Sequence, residues 1–576
     1  MNILGISGQE SDAAAALVRD GEVIAAIEEE KLSRIRHVGM NYAGGLPRRA
    51  IEFCLKRGGI ALKDLDYVAY YLEPEKLFHR QIAFYSSRAL VAPAPASTDA
   101  FPSYFVESLN ELRNRQATRH SIESSLSEKS RFIAVNHHLA HGASAFYASG
   151  FERAAIISAG NRGDMNSTAM MMGEGARLRI ISEAEFPNSI GMIYNAVTAL
   201  LGFDPHSDWH KVMWLAPTGE AQMTELFDDL IRVDARGLPA INQEYFDPSF
   251  RGTPALAEKF FERAGVRPRA KDDPLTQKHC NLAASLQSRI EDVLCEMAAR
   301  LRERTGEENL CFAGGVALNS LANAAMERRA GFKRMFVQPA AGNAGCSLGS
   351  ALYVWHHMLE NEKRSYAMRH VFLGPEFDDD EIKSVLDNCK ISYEYLLTED
   401  KLVAEVARLL KEGRIVGWYR GRMEFGPRTL GARSILASPL SEMMRDNLNV
   451  YIKRREDFRP FSASIPEERR DEFFEPSALA DFLLGVSRVR EEKRALIPAA
   501  IFGDGLARVH SVNRAASPTL WKLLVKFGET AGAPVLLNTS FNLFGEPVVS
   551  TPREAVRGFY CSGIDCLAIG NFLIKK

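Results

Sequence analysis

Short apolar runs that end at glycine or at polar turns dominate the first part of the chain. The Asp20-Gly21 pair lies between two such runs, a pattern typical of a β-hairpin. A later segment, residues 281–306, is a long amphipathic helix that ends at Gly306. The pattern predicts, in chain order, strands at 2–8, 13–18 and 23–27, a helix at about 46–57, a strand at 66–72, a second hairpin at 154–172 and a helix at 189–203.

Two later segments, 310–328 and 336–355, each run from an apolar strand through a glycine-rich turn into a helix. A helix that begins at glycines after a buried strand offers free N–H groups to a phosphate. The pair Gly314-Gly315 is therefore a candidate nucleotide seat. The turn Gly160–Asp164 in the second hairpin is another candidate for phosphate, or a plain chain reversal.

Some segments show no clear period. Residues 85–120 and 220–275 are expected to be irregular, with a loop at 92–97. The polar segment 360–370 is the candidate linker, and it predicts domains at 1–362 and 371–576. The second domain is predicted to contain a helix at 401–412, a strand at 414–420, a strand and loop at 533–552, a helix at 552–561 and a strand at 566–574.

Arginine is concentrated between Gly421 and Phe461, interleaved with phenylalanine, leucine and isoleucine. Several guanidinium groups are therefore expected to be partly buried, and a buried cation needs an anionic partner. The local carboxylates are too few to pair with all of them. The stretch predicts a ligand with phosphate or carboxylate groups, and the alternative is an internal network with Glu424, Asp446, Glu456 and Asp457.

His137 and His141 lie four residues apart on a predicted helix after the strand FIAV. That spacing places both imidazoles on one helix face, where they can share a metal ion. The spacing alone is equally compatible with two surface or core histidines.

Composition narrows the classes of partner. The chain has 71 basic and 73 acidic residues among 576 and no long basic block, which argues against nucleic acid. No apolar run approaches the roughly 18 residues of a membrane span. The start of the chain lacks the features of a signal peptide, and eight scattered cysteines without a CxxC pair are typical of reduced thiols, so a cytoplasmic protein is expected.

Motifs over nearly the whole chain then identify a family. Lys453-x-Arg455 and Ser540-x-Asn542 are similar to the signature of YrdC-like domains, which form carbamoyl-type adenylates from ATP. The chain resembles the O-carbamoyltransferases of antibiotic and nodulation-factor biosynthesis. The motifs that carry the resemblance are HHLAHGASAFYASGF, KVMWLAP, FAGGVALN, FVQPAAG, GRMEFGPRTLGARSIL and RREDFRPF.

The resemblance implies an α/β fold in two parts and an ATP-dependent reaction. The N-terminal part is expected to be a two-lobed actin-like ATPase domain related to threonylcarbamoyl transferases, and the C-terminal part a YrdC-like α+β domain. Carbamoyl phosphate and ATP, the latter with Mg²⁺, would give carbamoyl adenylate, whose carbamoyl group passes to an acceptor hydroxyl beside a metal. Adenylation supplies a leaving group to a poor electrophile, and enclosure keeps out water.

The resemblance also assigns residues. Gly314, Gly315 and Asn319 fall in the nucleotide-binding turn and helix, and His137 and His141 correspond to metal ligands that hold Fe²⁺ or Mn²⁺. The adenylation site is implied to contain Arg422, Arg428, Lys453, Arg455, Arg459, Arg508, Asn538, Ser540 and Asn542.

The departures from the family pattern concentrate at the transfer site. Gly160 and Asn343 stand where the family has aspartate ligands, and Ser11 replaces a histidine. A cage of imidazoles and an amide is neutral, and hard divalent ions prefer carboxylate oxygen. We therefore expect the usual metal site to be lost or relocated, and Asp164, Asp208 or His210 are the candidate substitute ligands.

Three functions remain open at this point. The first is an active carbamoyltransferase that acts on a hydroxyl of a sugar or secondary metabolite. The second is an enzyme limited to adenylation, which acts with a partner chain or on another nucleophile. The third is a non-catalytic partner of an active homologue. Oligomeric state is open between a homodimer and a complex with a homologue.

Overall fold

The computed structural model describes residues 1–89, 100–124, 126–247 and 255–576, and the predicted loop at 92–97 lies outside these residues. The fold is mixed α/β. The chain divides into two compact units: Met1–Glu29 with His37–Met368, and Glu30–Arg36 with Arg369–Lys576. The division falls inside the predicted linker, but residues 30–36, which the prediction gave to the first domain, belong to the second unit.

The first unit begins with a five-stranded sheet of order β3-β2-β1-β4-β5. β1 is antiparallel to β2 and parallel to β4. The predicted hairpin is confirmed, because Arg19 pairs with Glu22 and the two-residue turn Asp20-Gly21 has positive φ at both positions. The strands are β1 (Asn2–Ser7), β2 (Ala14–Arg19), β3 (Glu22–Glu28), β4 (Tyr67–Tyr70) and β5 (Arg131–Ala134).

A second five-stranded sheet in this unit has the order β12-β11-β6-β7-β8. Its first three strands in the chain form an antiparallel meander, and β11 and β12 then add in parallel to β6. The strand arrangement of the first sheet is thus repeated without a visible repeat in sequence. The strands of this sheet are β6 (Arg153–Gly163), β7 (Asn166–Glu174), β8 (Arg177–Glu185), β11 (Asn309–Ala313) and β12 (Arg334–Val337). A separate two-stranded hairpin consists of β9 (Ile231–Val233) and β10 (Pro239–Ile241).

The expectation of irregular structure is wrong for the described part of 85–120, where α3 ends and α4 lies. In 220–275 it holds in part, because two short helices, Thr224–Leu230 and Glu258–Ala264, and the small β9–β10 hairpin lie between irregular stretches. Pro102 falls in the first turn of α4, where a helix tolerates proline because the first N–H groups have no intrahelical partner. The helices that precede the second unit's main segment are α1 (Glu29–Ser33), α2 (Arg48–Gly58), α3 (Pro74–Ala89), α4 (Ala100–Glu123), α5 (His137–Ser149), α6 (Ile190–Leu200), α7 (Trp209–Leu215), α8 (Thr224–Leu230), α9 (Glu258–Ala264), α10 (Gln277–Thr305), α11 (Ser320–Arg329) and α12 (Asn343–Tyr353).

The second unit is built on a nine-stranded mixed sheet of order β13-β21-β20-β14-β15-β19-β16-β18-β17. The predicted strand 566–574 is instead a hairpin that turns at Gly570, with φ of 53°. The elements are α13 (Asp379–Asn388), β13 (Glu394–Tyr395), α14 (Glu399–Lys411), β14 (Val416–Tyr419), β15 (Arg433–Ala437), α15 (Met443–Asn447), β16 (Ser462–Pro466), α16 (Arg470–Phe473), β17 (Ser487–Arg488), β18 (Leu506–Val512), α17 (Pro518–Ala531), β19 (Leu536–Ser540), α18 (Pro552–Tyr560), β20 (Cys566–Ile569) and β21 (Phe572–Lys575).

Each face of this sheet has its own core. Leu537 and Val509 belong to one apolar cluster, and Leu536 and Val512 to the other, which also contains the buried side of α14 and α17. Because side chains alternate along a strand, the second face continues from Leu536 through Asn538 to Ser540. This face is therefore apolar at one end and polar at the other, and β18 shows the same gradient.

Residues 30–36 are held in the second unit by hydrogen bonds from two basic side chains. Lys31 Nζ donates to the carbonyl oxygens of Glu424 at 2.8 Å and Gly426 at 2.9 Å. Arg34 donates to the carbonyls of Pro547 and Val548. Within the described residues, no helix is long and apolar enough to cross a membrane.

Candidate functional site

Five basic side chains form a cluster in the second unit, which we call the cationic cluster: Arg428, Lys453, Arg455, Arg459 and Arg508. Burial lowers the pKa of Arg508 well below its usual value, and Arg428, Arg455 and Arg459 lower it further. Burial followed by the charge of Arg459 lowers the pKa of Arg428 to about 10. An arginine does not lose its proton in a protein, so the lowered values express first the cost of burying these charges and then their mutual repulsion. The cluster favours a bound anion.

Lys453 brings the two halves of the predicted signature together. It ends a wide helical segment, Leu448–Lys453, after which Arg454 reverses the chain at a φ of 45°. Its Nζ donates to Asn542 Oδ1 at 2.6 Å and to the Ser540 carbonyl oxygen at 2.9 Å. The structure thus places Lys453 next to Ser540 and Asn542, and their role in binding an adenylate stays a prediction.

Asn449 holds the loop that carries the other cations. Its Oδ1 accepts from Arg455 Nε at 2.8 Å, and its Nδ2 donates to the carbonyl oxygens of Arg459 at 3.1 Å and Asp457 at 3.3 Å. The Arg455 guanidinium also stacks over the ring of Phe461, 4.4 Å from its centre. The loop geometry is therefore set by a buried amide that the sequence gave no reason to single out.

Glu456 offers a carboxylate to the cationic cluster. It lies 3.5 Å from Arg459 Nη1, and it opposes the lowering of the Arg455 pKa by burial and by Arg459. The charges that lower the Lys453 pKa after burial are those of Arg455, Arg459 and Arg36. The Glu456 carboxylate therefore offsets part of the positive charge of the cluster.

Two other arginines of the stretch have backbone carbonyl oxygens as hydrogen-bond partners. Arg433 is fully buried, yet its Nη1 donates to the carbonyls of Arg420 and Gly421, and its guanidinium stacks 3.7 Å from the ring centre of Tyr419. Arg422, assigned to the site from sequence, donates through Nη2 to the Leu373 carbonyl at 2.7 Å. The Glu424 carboxylate of the alternative internal network accepts instead from the backbone N–H groups of Leu430 and Ala432.

Asn538 is held by a short polar chain on the same face of the sheet. Its Nδ2 donates to Ser464 Oγ at 3.1 Å, and that hydroxyl donates to His510 Nδ1 at 2.9 Å. Burial lowers the pKa of His510 to about 3, so its ring is neutral and Nδ1 can accept. The Oδ1 atom of Asn538 is buried and has no hydrogen bond, which leaves it available to a ligand. The alternation of side chains along RVHSV in β18 is the sequence feature that could have placed His510 on this face of the sheet.

In the first unit, the predicted histidine pair lies in the interior. The ring centres of His137 and His141 are 4.6 Å apart, and one ring nitrogen of each and Sγ of Cys346 all lie within 4.8 Å of one another. All three residues are buried, and neither histidine Nδ1 has a hydrogen bond. Burial lowers the pKa of His141 to about 3, so the ring is neutral. The surface alternative for this pair is excluded.

Cys346 joins the pair because α5 and α12 approach very closely. A Cβ on Gly349 would lie 1.9 Å from the carbonyl oxygen of Ala140, so only glycine permits this contact. Cys346 lies one turn earlier on α12, opposite His141, which follows Ala140 on α5. Gly345 and Gly349 have the GxxxG spacing that permits close helix contacts. The sequence alone does not show which helix packs against them.

The turn after β6 differs from the prediction. β6 extends to Gly163, and the reversal is at Asp164-Met165, both with positive φ, rather than at Gly160–Asp164. Asp164 is buried, and its carboxylate accepts from the backbone N–H of His137 at 2.8 Å and fixes the start of α5. Burial raises its pKa to about 6.

The other candidate ligands have different roles. Asp208 pairs with Lys211 at 3.0 Å, and His210 Nδ1 lies 3.0 Å from the Ser207 carbonyl oxygen. Asn343 Nδ2 donates weakly to the Ser11 carbonyl oxygen at 3.4 Å. At Gly160 a Cβ would find its nearest neighbour 4.0 Å away, at the N atom of Gly315, so the replaced aspartate leaves open space.

The predicted nucleotide seat has one glycine that the fold requires. Gly314 has φ of 93°, and a Cβ there would lie 2.1 Å from the Ala159 carbonyl oxygen, whereas Gly315 faces open space. The side chain of Asn319 caps α11 and exchanges two hydrogen bonds with Gln287. The Asn319 amide therefore supports the fold, and the role of this turn and of Asn319 in nucleotide binding stays a prediction.

Family models match both parts of the chain. The model described as Carbamoyltransferase N-terminus matches residues 2–352, and the one described as Carbamoyltransferase C-terminus matches residues 407–576. The chain belongs to the carbamoyltransferase family. This confirms the family expected from the sequence motifs, and with it an enzyme of the transferase class.

This carbamoyltransferase matches several relatives over nearly its whole length. It is 36% identical over 606 residues to the uncharacterised protein sll1178 of Synechocystis sp., covering 100% of this chain and 97% of the relative. It is 36% identical over 572 residues to the nodulation protein NolNO of Sinorhizobium fredii, covering 98% and 79%. It is 25% identical over 579 residues to the uncharacterised protein MJ1051 of Methanocaldococcus jannaschii, covering 100% and 99%.

The metal implied by the family resemblance does not fit the donors of this carbamoyltransferase. Mn²⁺ favours carboxylate oxygen, and an Fe²⁺ site built on two histidines is completed by a carboxylate, but the two positions expected to supply it hold Gly160 and Asn343. The donors that the fold brings together are two neutral imidazoles and a thiol.

Proposed function

We propose that the protein forms carbamoyl adenylate from carbamoyl phosphate and ATP in its second unit, and transfers the carbamoyl group to a hydroxyl of a sugar or secondary metabolite. The observation that carries this proposal is the cationic cluster, in which Lys453 is oriented by Ser540 and Asn542. A buried group of like charges is destabilising unless an anion joins it. A triphosphate is an anion of sufficient charge, and the family membership makes ATP the natural choice.

The reaction balances in three steps. Carbamoyl phosphate is hydrolysed to carbamate and inorganic phosphate. A carbamate oxygen then attacks the α-phosphorus of ATP and pyrophosphate leaves, which gives carbamoyl adenylate. Finally, the oxygen of the acceptor hydroxyl attacks the carbamoyl carbon, AMP leaves, and the hydroxyl proton is released.

The residues of the second unit act as binding and charge-stabilising groups in this scheme. Arg455, Arg459 and Arg508 neutralise the phosphates and the charge that develops on the leaving pyrophosphate. Lys453 would move its point charge from Asn542 toward a phosphate oxygen when the nucleotide binds. Mg²⁺ bound with the nucleotide would add further charge neutralisation between the phosphates.

Asn538 adds a neutral contact to this site. Its free Oδ1 accepts a hydrogen bond, and the amino group of a carbamoyl moiety or of an adenine ring is a matching donor. Ser464 and His510 fix the orientation of the amide, because reversing it would place two acceptors or two donors face to face.

The proposed fold of each unit extends the same argument. The repeated strand order of the two sheets supports a two-lobed actin-like domain in the first unit, with the backbone at Gly314 and Gly315 as a phosphate seat. The mixed nine-stranded sheet with its polar end supports a YrdC-like second unit.

Carbamoyl phosphate-dependent exchange of pyrophosphate into ATP tests the adenylation step. Arg455→Ala should reduce the exchange rate at least about 100-fold, since it removes a charge that faces the leaving group. Arg408→Ala is the matched control, because that arginine is exposed and paired with Glu405 and Glu412. Wild-type exchange that persists in Arg455→Ala would refute the assignment of the cationic cluster.

A second candidate is an enzyme that carries out adenylation alone. The replaced carboxylates at Gly160 and Asn343 favour it, because the transfer site then lacks the family's usual donors. Exchange without carbamoyl transfer to any hydroxyl acceptor supports this candidate. Absence of exchange altogether supports a non-catalytic partner of a homologue.

A further inference from the structure

Three donor atoms from two helices converge in the interior of the first unit. His137 and His141 lie on α5 and Cys346 lies on α12, and one donor atom of each is within 4.8 Å of the other two. The side chains are 6%, 2% and 0% exposed, respectively. Small movements of the side chains would bring the three atoms onto one ion, since zinc ligands lie about 2.0–2.3 Å from the metal.

Both histidines have a ring nitrogen in need of a partner. Their Nδ1 atoms are buried without a hydrogen bond, and an unsatisfied polar group in a protein interior destabilises the fold. A purely apolar role for this cluster would therefore be served better by leucine or methionine, which suggests that the three polar groups are kept for a ligand.

We propose that His137, His141 and Cys346 form a zinc site, in which the thiolate replaces the carboxylates that the rest of the family pattern would supply. Thiolate and imidazole are the donors that Zn²⁺ prefers, whereas Mn²⁺ and Mg²⁺ prefer oxygen. Binding forms one Zn–S and two Zn–N bonds, and the thiol proton of Cys346 passes to solvent. Three protein ligands leave the fourth tetrahedral position to an exchangeable ligand.

The surrounding fold keeps the three donors in place. Asn136 caps α5 by accepting from the backbone N–H groups of His138 and Leu139, and Asp164 accepts from that of His137. The close approach of Gly349 to Ala140 fixes the distance between the helices. These contacts involve backbone atoms, so the geometry does not depend on the metal and a preformed site is expected.

Metal titration of the full-length protein tests this proposal without an activity assay. Chelator-treated protein is titrated with Zn²⁺ against a chromophoric competitor and, separately, with Co²⁺ while the near-ultraviolet spectrum is recorded. We expect one equivalent of tight Zn²⁺ binding, Zn²⁺ preferred over Mn²⁺ by at least about 100-fold, and a thiolate-to-cobalt charge-transfer band.

Two variants and a control make the test specific. Cys346→Ser should abolish the charge-transfer band and weaken Zn²⁺ binding at least about 10-fold, and His141→Ala should weaken binding as well. Cys54→Ser is the matched control, since Cys54 is buried but hydrogen-bonded to the Ala15 carbonyl. The proposal is overturned if wild-type protein takes up no Zn²⁺, if Mn²⁺ binds as tightly, or if Cys346→Ser keeps the band.

These outcomes are independent of the adenylation proposal. Metal binding in the first unit is measured without ATP or carbamoyl phosphate, and pyrophosphate exchange in the second unit is measured without added zinc. Failure of one result therefore leaves the other to be judged on its own evidence.

Discussion

Lys453 Nζ and Asn542 Oδ1 form a 2.6 Å hydrogen bond across 89 residues of sequence. The contact joins the end of the segment Leu448–Lys453 to the loop after β19, and it places an ammonium group beside Arg455 and Arg459, two further cations that lower its pKa. A lysine in such surroundings is held by polar acceptors until an anion takes their place. The first prediction follows from this competition.

Replacing Lys453 by methionine should reduce pyrophosphate exchange at least about 100-fold, because a point charge near the phosphates is lost. The thermal midpoint should change little, since relief of repulsion from Arg455 and Arg459 offsets the lost hydrogen bonds. Lys522→Met is the control, as Lys522 is largely exposed and paired with Glu399. Equal exchange rates in the two variants would contradict the prediction.

Asn449→Ala should disturb the cationic cluster indirectly, through the loop that carries Arg455 and Arg459. The amide satisfies two carbonyl oxygens and Arg455 Nε, so its loss should reduce the free energy of unfolding by about 1–3 kcal/mol. We expect a higher KM for ATP with a smaller change in kcat, because Arg455 is displaced rather than removed. Asn388→Ala, at an exposed helix end, should leave both KM and stability unchanged.

The buried ring of His510 predicts a loss of stability in acid. Its folded-state pKa of about 3 lies below its unfolded value of about 6.5, so between these values the unfolded state binds more protons. Stability from this group is complete above pH 6.5 and falls by about 1.4 kcal/mol per pH unit below it.

His510→Asn removes that titration while it keeps an acceptor for Ser464. The difference in unfolding free energy between wild type and variant should therefore shrink by about 2 kcal/mol between pH 7 and pH 5. Urea unfolding followed by tryptophan fluorescence measures it. His79→Asn, at an exposed position, serves as control. A difference that stays constant with pH would show that His510 takes up its proton as readily in the folded protein as in the unfolded one.

Two glycines on the same strand should respond differently to alanine. A Cβ on Gly163 would lie 1.9 Å from His137 Cδ2, whereas one on Gly160 would meet nothing nearer than 4.0 Å. Gly163→Ala should lower stability by about 1–3 kcal/mol and displace the ring, with loss of stoichiometric Zn²⁺ binding. Gly160→Ala should bind Zn²⁺ as wild type does, and the pair is compared by thermal melting and metal analysis.

Much of the fold was predictable from local pattern. The hairpin at Asp20-Gly21, the long helix that ends before Gly306 and the two strand–turn–helix units all follow from periodicity and turn chemistry, which are properties of neighbouring residues. The hairpin at Gly570 was missed because two short apolar strands joined by Gly-Asn look like one longer strand. Residues 85–120 were missed because their helices carry mixed polar and apolar residues without a clear stripe.

The candidate sites show where sequence reasoning reaches its limit. The sequence relates Lys453 to Asn542 only because both belong to one family motif. For Arg433, composition cannot show that backbone carbonyl oxygens and the Tyr419 ring will surround a buried guanidinium. Cys346 was overlooked because its proximity to His141 depends on a helix contact at Gly349, and such contacts between distant segments leave no local signature.

The short segment Glu30–Arg36 means that the C-terminal unit is not one continuous piece of chain. A gene fragment that begins at residue 369 encodes a unit without Lys31 and Arg34, and the carbonyl groups of Glu424, Gly426, Pro547 and Val548 lose those donors. Exchange of this unit between proteins by recombination would therefore leave part of it behind. The two units are expected to be inherited together.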